Sequence, residues 1–139
     1  MADVERTLFL IKPDAVERGL VGEIVARFER RGYELRGARL LKVSRALGRE
    51  HYTEHRGKPF FADLVDFITS GPVLALAVRG EGAIAGIRGL MGATNPADSA
   101  PGTIRGDLAT LLSENVVHGS DSRASARREL GLFFPDGLL

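Results

Sequence analysis

The chain has 139 residues, of which 44% are hydrophobic and 27% charged, enough to bury the core of one domain, and residues 1–139 are read as a single domain. Lys and Arg number 19 against 18 Asp and Glu, a formal net charge of +1, so there is no bulk electrostatic argument for nucleic acid or an anionic membrane as partner. Cysteine is absent, which excludes a disulfide framework and a thiolate metal site.

The predicted elements alternate along the chain. Residues 7–11 are an apolar, partly β-branched run closed by Lys12 and Pro13, and they predict a buried strand. This run is too short for a signal-peptide core, and no other stretch approaches a membrane span. A soluble, cytoplasmic protein is therefore expected, with no membrane partner. Ile24, Val25 and Phe28 recur at helical spacing among charges until Gly32 stops the helix. Residues 33–43 alternate apolar side chains with Arg36, Arg39 and Lys42 and read as a strand. Two helices are expected at 50–57 and 60–69, broken at Lys58 and Pro59. A turn at Gly71 and Pro72 then leads into a buried strand over 73–78. Residues 82–90 predict a weak, glycine-rich helix. Residues 91–106 have loop composition and are long for a loop in a chain of this size, which points to function. A short strand at 115–118 precedes a helix over 122–130, for which Asp121 is a suitable cap. The β-α-β-α-β-α-β order predicts an α+β fold: a ferredoxin-like α/β sandwich, with a four-stranded antiparallel sheet and helices on one face.

The chemistry is narrowed first by what is missing. There is no G-x-x-x-x-G-K-[ST] phosphate loop, no G-x-S-x-G elbow and no cysteine nucleophile. Residues 80–86 approximate G-x-G-x-x-G but are one residue too long for it. His51 and His55 have the spacing of a zinc pair, but the glutamate between them is misplaced for H-E-x-x-H, and two exposed helix histidines are the better reading. His118 differs, because it ends an apolar run directly before a Gly-Ser-Asp turn and a helix start, where backbone amides favour anions. Lys12, Arg88 and Arg105 each lie at an element end or in a Gly/Pro-rich loop, as fixed cations for a phosphate would.

These residues fall within a wider pattern. The string NVVHGSD at 115–121 resembles the active-site signature of the nucleoside diphosphate kinases. ERTLFLIKPDAV (5–16), HY (51–52), RGKPFF (56–61), SGP (70–72), GATNPAD (92–98) and PGTIRGD (101–107) resemble further family motifs in the family's order. The resemblance implies transfer of a terminal phosphate from a nucleoside triphosphate to a diphosphate, by a ping-pong route through a phosphohistidine. It makes His118 the nucleophile, Glu129 the carboxylate that orients the ring, Ser120 a bridge to that carboxylate, and Tyr52 a neighbour of the phosphate. It assigns Lys12, Arg88, Thr94 and Arg105 to the phosphates, Lys12 and Asn115 to the ribose, and Phe60 with Leu112 to the two faces of the base. Stacking alone accepts any base. The resemblance further implies ATP and other nucleoside di- and triphosphates as ligands. Mg²⁺ would be held through the nucleotide phosphates and by no dedicated protein ligands. The implied assembly is a homo-oligomer, a hexamer with a tetramer as the alternative. A non-catalytic relative would have lost His118 or an arginine, and this chain keeps them. The few aromatic residues fall mostly on helices or near turns, so no nucleic-acid platform is expected. Since imidazolium has no lone pair, phosphorylation should slow as His118 protonates.

Overall fold

A computed structural model describes residues 3–112 and 114–138. Four strands form one sheet in the order β2-β3-β1-β4, all pairs antiparallel. β1 (Val4–Ile11) and β3 (Val73–Glu81) are central, while β2 (Glu34–Leu41) and the three-residue β4 (Val117–Gly119) are the edges. Helices connect them: α1 (Pro13–Glu17) and α2 (Val21–Arg30) after β1, α3 (Arg45–His51) and α4 (Phe61–Ile68) after β2, α5 (Ala83–Met91) and α6 (Ile104–Leu108) after β3, and α7 (Arg123–Phe133) after β4. This order and pairing is the expected ferredoxin-like α+β arrangement.

The expectation of helices on one face is corrected by the alternation within β1. Successive strand side chains point to opposite faces. Phe9 and Ile11 pack with Ile24 and Phe28 of α2 and Ile87 and Met91 of α5. Leu8 and Leu10 pack the other way, with Val65 and Ile68 of α4 and Phe133 of α7. A central strand that is apolar on both sides must be covered on both, so the sheet carries a helical layer on each face.

Local chemistry shifts several boundaries. The helix expected at 50–57 instead starts at Arg45, because the Ser44 hydroxyl accepts the Leu47 N–H at 3.1 Å and caps it, and Thr53–His55 is a separate 3₁₀ turn. The long loop is partly ordered by Asn95 capping a 3₁₀ turn at Pro96–Asp98 and by Thr103 capping α6. The cap of α7 is Ser122, which accepts the Ser125 N–H at 3.0 Å, and not Asp121. Pro13 opens α1, a helix of only five residues that hydrophobic periodicity is too coarse to register.

Candidate active site

β4 pairs with the end of β1 so that His118 stands opposite Leu10, on the face covered by α7. α7 brings Glu129 to it, with His118 Nε2 and Glu129 Oε1 2.6 Å apart. An ionised carboxylate can only accept, so Nε2 carries the proton and Nδ1 keeps its lone pair. Glu129 is 3% exposed, whereas a quarter of the His118 side chain meets the cleft, and Nδ1 is not among the buried, unpaired atoms. Burial, followed by the charges of Lys12, Arg105 and Arg88, lowers the His118 pKa from 6.5 to about 3, with Asp121 opposing. Burial raises the Glu129 carboxyl, with Ser120, His51 and Arg128 working against it. The Ser120 hydroxyl is close to that carboxylate and buried, but completes no hydrogen bond.

His51 departs from the sequence reading. It is 3% exposed, at the last turn of α3, with its ring edge on His118 at a centroid separation of 4.5 Å and its Nδ1 3.5 Å from Glu129 Oε1. Both of its ring nitrogens lack hydrogen bonds. Burial first, and then the facing His118, holds its pKa well below 6.5, so it is a neutral ring packed against Tyr52 and Phe133. His55 instead faces Lys58 and Phe60. The signal that could have found His51 is its place next to Tyr52 in the HY motif. Among the described residues, His51, His118 and Glu129 are the one group spaced to hold a metal ion. The short Nε2–Oε1 contact is that of a charge-assisted hydrogen bond.

The cations converge on the other side of His118. Lys12 is 7% exposed and donates from Nζ to Asn115 Oδ1 at 2.8 Å. Burial, and then the charge of Arg105, lowers its pKa to about 8 against the pull of Asp14. Arg105, on α6 and 5% exposed, is a strut as well as a charge. Its Nε donates to the Asn115 carbonyl at 3.1 Å, one terminal nitrogen to the Val117 carbonyl at 2.7 Å, and the other to the carbonyls of Gly92 and Ala93 at 3.3 Å each. Arg88 donates to the Gly119 carbonyl at 3.1 Å, and Asn115 Nδ2 donates to the Thr94 carbonyl at 3.0 Å. Between Asn115 and His118 the chain makes a γ-turn, with the Val117 N–H donating to the Asn115 carbonyl at 2.7 Å across Val116, whose φ is 63°.

These side chains border a cavity of about 980 Å³, at the upper end of the range for small-molecule sites. Lys12, Arg88, Thr94, Arg105 and Asn115 line it with His118 and Glu129, and Tyr52 also borders it, its hydroxyl buried and without a hydrogen bond. Phe60, 46% exposed, and Leu112, 58% exposed, belong to the apolar part of the wall together with Leu64, Phe67, Met91 and Leu111, while Phe61 turns into the core. Of the residues expected to act, Ser120 alone does not line the cavity. Glu54 and Asp121 line it without having been anticipated.

A sequence model of the family described as nucleoside diphosphate kinase matches residues 5–138. A nucleoside diphosphate kinase of Deinococcus radiodurans is 59% identical over 136 residues, which cover 98% of this chain and 99% of that protein. One of Thermus thermophilus is 56% identical over 137 residues, covering 98% and 100% respectively. Among solved structures, a halophilic nucleoside diphosphate kinase of Halobacterium salinarum in complex with CDP superposes with a TM-score of 0.95 at 48% identity, over 99% of this chain and 92% of that one. The signature, the sheet order and the matched length agree: the chain belongs to the nucleoside diphosphate kinase family.

Proposed function

We propose that the chain acts as a single domain and moves the terminal phosphate of a nucleoside triphosphate to a nucleoside diphosphate, in two steps through a phosphohistidine on His118. The observation that carries this reading is the His118–Glu129 pair: Glu129 holds Nε2 at 2.6 Å, and the free nitrogen faces a cavity lined by Lys12, Arg88 and Arg105. In the first step the Nδ1 lone pair attacks the γ-phosphorus, the Nδ1–P bond forms, and the bond to the β–γ bridging oxygen breaks with its electrons, releasing the diphosphate. The ring gains positive charge, which the carboxylate of Glu129 offsets through Nε2–H. In the second step a terminal oxygen of another diphosphate attacks the same phosphorus and Nδ1 leaves with its electron pair.

The cations stabilise charge as it builds on the transferring group and the departing oxygen. Thr94 and Tyr52 add hydroxyl donors, and Ser120 steadies Glu129. Lys12 and Asn115 hold the ribose, while Phe60 and Leu112 sandwich the base. An apolar clamp without base-edge donors reads no base, so many nucleotides serve and the enzyme balances triphosphate pools. The relative bound to CDP supports nucleotide occupancy of this cavity. Mg²⁺ fits as a passenger of the phosphates. The cavity's exposed carboxylates, Glu54, Asp63, Glu114 and Asp121, suit contact with its water shell, whereas the histidine-rich group at the floor does not suit a hard cation. When bound, Mg²⁺ neutralises phosphate charge. The setting is cytoplasmic and the working form a homo-oligomer, a hexamer ahead of a tetramer.

Incubation with γ-labelled ATP tests the reading. The protein should acquire an acid-labile, base-stable label, and His118→Ala should acquire none. Equal labelling of the variant, or no label on the wild type, overturns it.

A further inference from the structure

Val116 is the only non-glycine residue with positive φ among the described residues, at 63°. Its side chain is β-branched and fully buried, the kind of residue for which the left-handed region is most crowded. Such a conformation persists only where its surroundings over-determine it. Here both backbone polar groups of Val116 are held from one short segment. Its N–H donates to Asp14 Oδ2 at 3.1 Å, and its carbonyl accepts the Lys12 N–H at 2.9 Å. Pro13, with its fixed φ, sets the spacing between those two anchors. The residues flanking the turn are functional ones: Asn115, which meets Lys12 Nζ, lies before it, and Val117 and His118, in register with Ile11 and Leu10, follow. Asp14 itself derives little from the contact, because its other oxygen, Oδ1, is buried without a partner.

We propose that Asp14 is a positioning residue: its carboxylate locks Val116 in the left-handed turn and thereby aims Asn115 and His118 into the cleft. The proposal rests on the phosphohistidine reading above. If the lock opens, Val116 relaxes to negative φ, the γ-turn unwinds, and β4 loses the register that places His118 between Glu129 and the cations. Asp14 touches no reacting atom and acts wholly through the backbone of Val116.

The test compares three variants by the rate of His118 labelling from ATP, alongside hydrogen exchange at the Val116 amide. Asp14→Ala should slow labelling about tenfold to a hundredfold, the scale of a small misplacement of a reacting group, and should speed exchange at Val116. Asp14→Asn keeps an acceptor oxygen and removes the charge, and it should stay within about threefold of wild type. In a Val116→Gly background the left-handed turn needs no lock, so adding Asp14→Ala should change the rate by about threefold or less. Equal losses in Asp14→Ala and Asp14→Asn would transfer the effect to the charge of Asp14 on Lys12 and overturn the lock. So would additive losses in the double variant, or unchanged exchange at Val116. If Val116→Gly does not fold, the contrast between Ala and Asn at position 14 still decides. A wild type that takes up no label defeats the phosphohistidine reading, whereas amide exchange reports on the lock either way.

Discussion

His118 shows how a residue's surroundings reset its chemistry. From the sequence alone its protonation, and with it the fall in phosphorylation rate, belongs near the ordinary histidine value of 6.5. In the fold, burial and three cations lower that value to about 3. Protons leave the ring only as pH rises above its pKa, so a lowered pKa keeps it neutral and nucleophilic further into acid. Single-turnover labelling at saturating nucleotide should therefore remain level from about pH 7, where Lys12 is charged, to about pH 5, and an acid limb centred near 6.5 would contradict this environment. The proposed nucleophile His118, with Lys12, Thr94, Arg105 and Asn115, was legible at this scale because family motifs are strings of neighbours. His51 was not. Its burial is decided by Tyr52, Phe133 and Glu129, and Phe133 and Glu129 lie some eighty positions away in the chain, beyond what helical spacing around residue 51 can convey.

Among the elements, α5 shows two glycines of opposite meaning. It follows β3 and carries Arg88 into the cavity wall. A methyl group added at Gly86 would collide with the hydroxyl of the partly buried Tyr33, so Gly86 is there for close packing between α5 and the residue that leads into β2. At Gly89 the same methyl meets nothing within 4 Å. Gly86→Ala should destabilise the protein by about 1–3 kcal/mol through overpacking. Gly89→Ala should stabilise it by about 0.5–1 kcal/mol, the helix propensity difference. Chemical denaturation of both variants checks the pair, and equal signs would refute the packing argument. The sequence marked α5 as weak from its glycines, but which of them packs closely is a long-range fact. Helix 2 was foreseeable because its apolar stripe is regular, while α1 and α6 were hidden by their five-residue length.

For the whole molecule, the open side of the sheet is β2. It ends the strand order, and Leu35, Ala38 and Leu40 are exposed along it, with Leu40 at 66%. An eight-residue edge that exposes apolar side chains among its charges, with no further strand to pair its outer backbone groups, invites a second copy of the chain. If the proposed oligomer uses this edge, Leu40→Lys should shift the species seen by sedimentation toward smaller assemblies while leaving the fold intact by circular dichroism. An unchanged distribution would move the contact elsewhere. The fold class was readable from the alternation of elements. The second helical layer was not, because β1 is an uninterrupted apolar run, and such a run shows that both faces are buried without saying by what.

The His118–Glu129 pair bridges two pieces of architecture. One partner is fixed to a strand, and the other rides on a helix docked against it. Anything that lifts α7 by an ångström or two parts them, while the sheet and both cores remain in place. In a denaturant series, turnover should accordingly vanish before ellipticity does, leaving a population that is folded but idle. For this protein catalytic output is the earliest gauge of wear, and an assay of shape alone would certify molecules that have already stopped working.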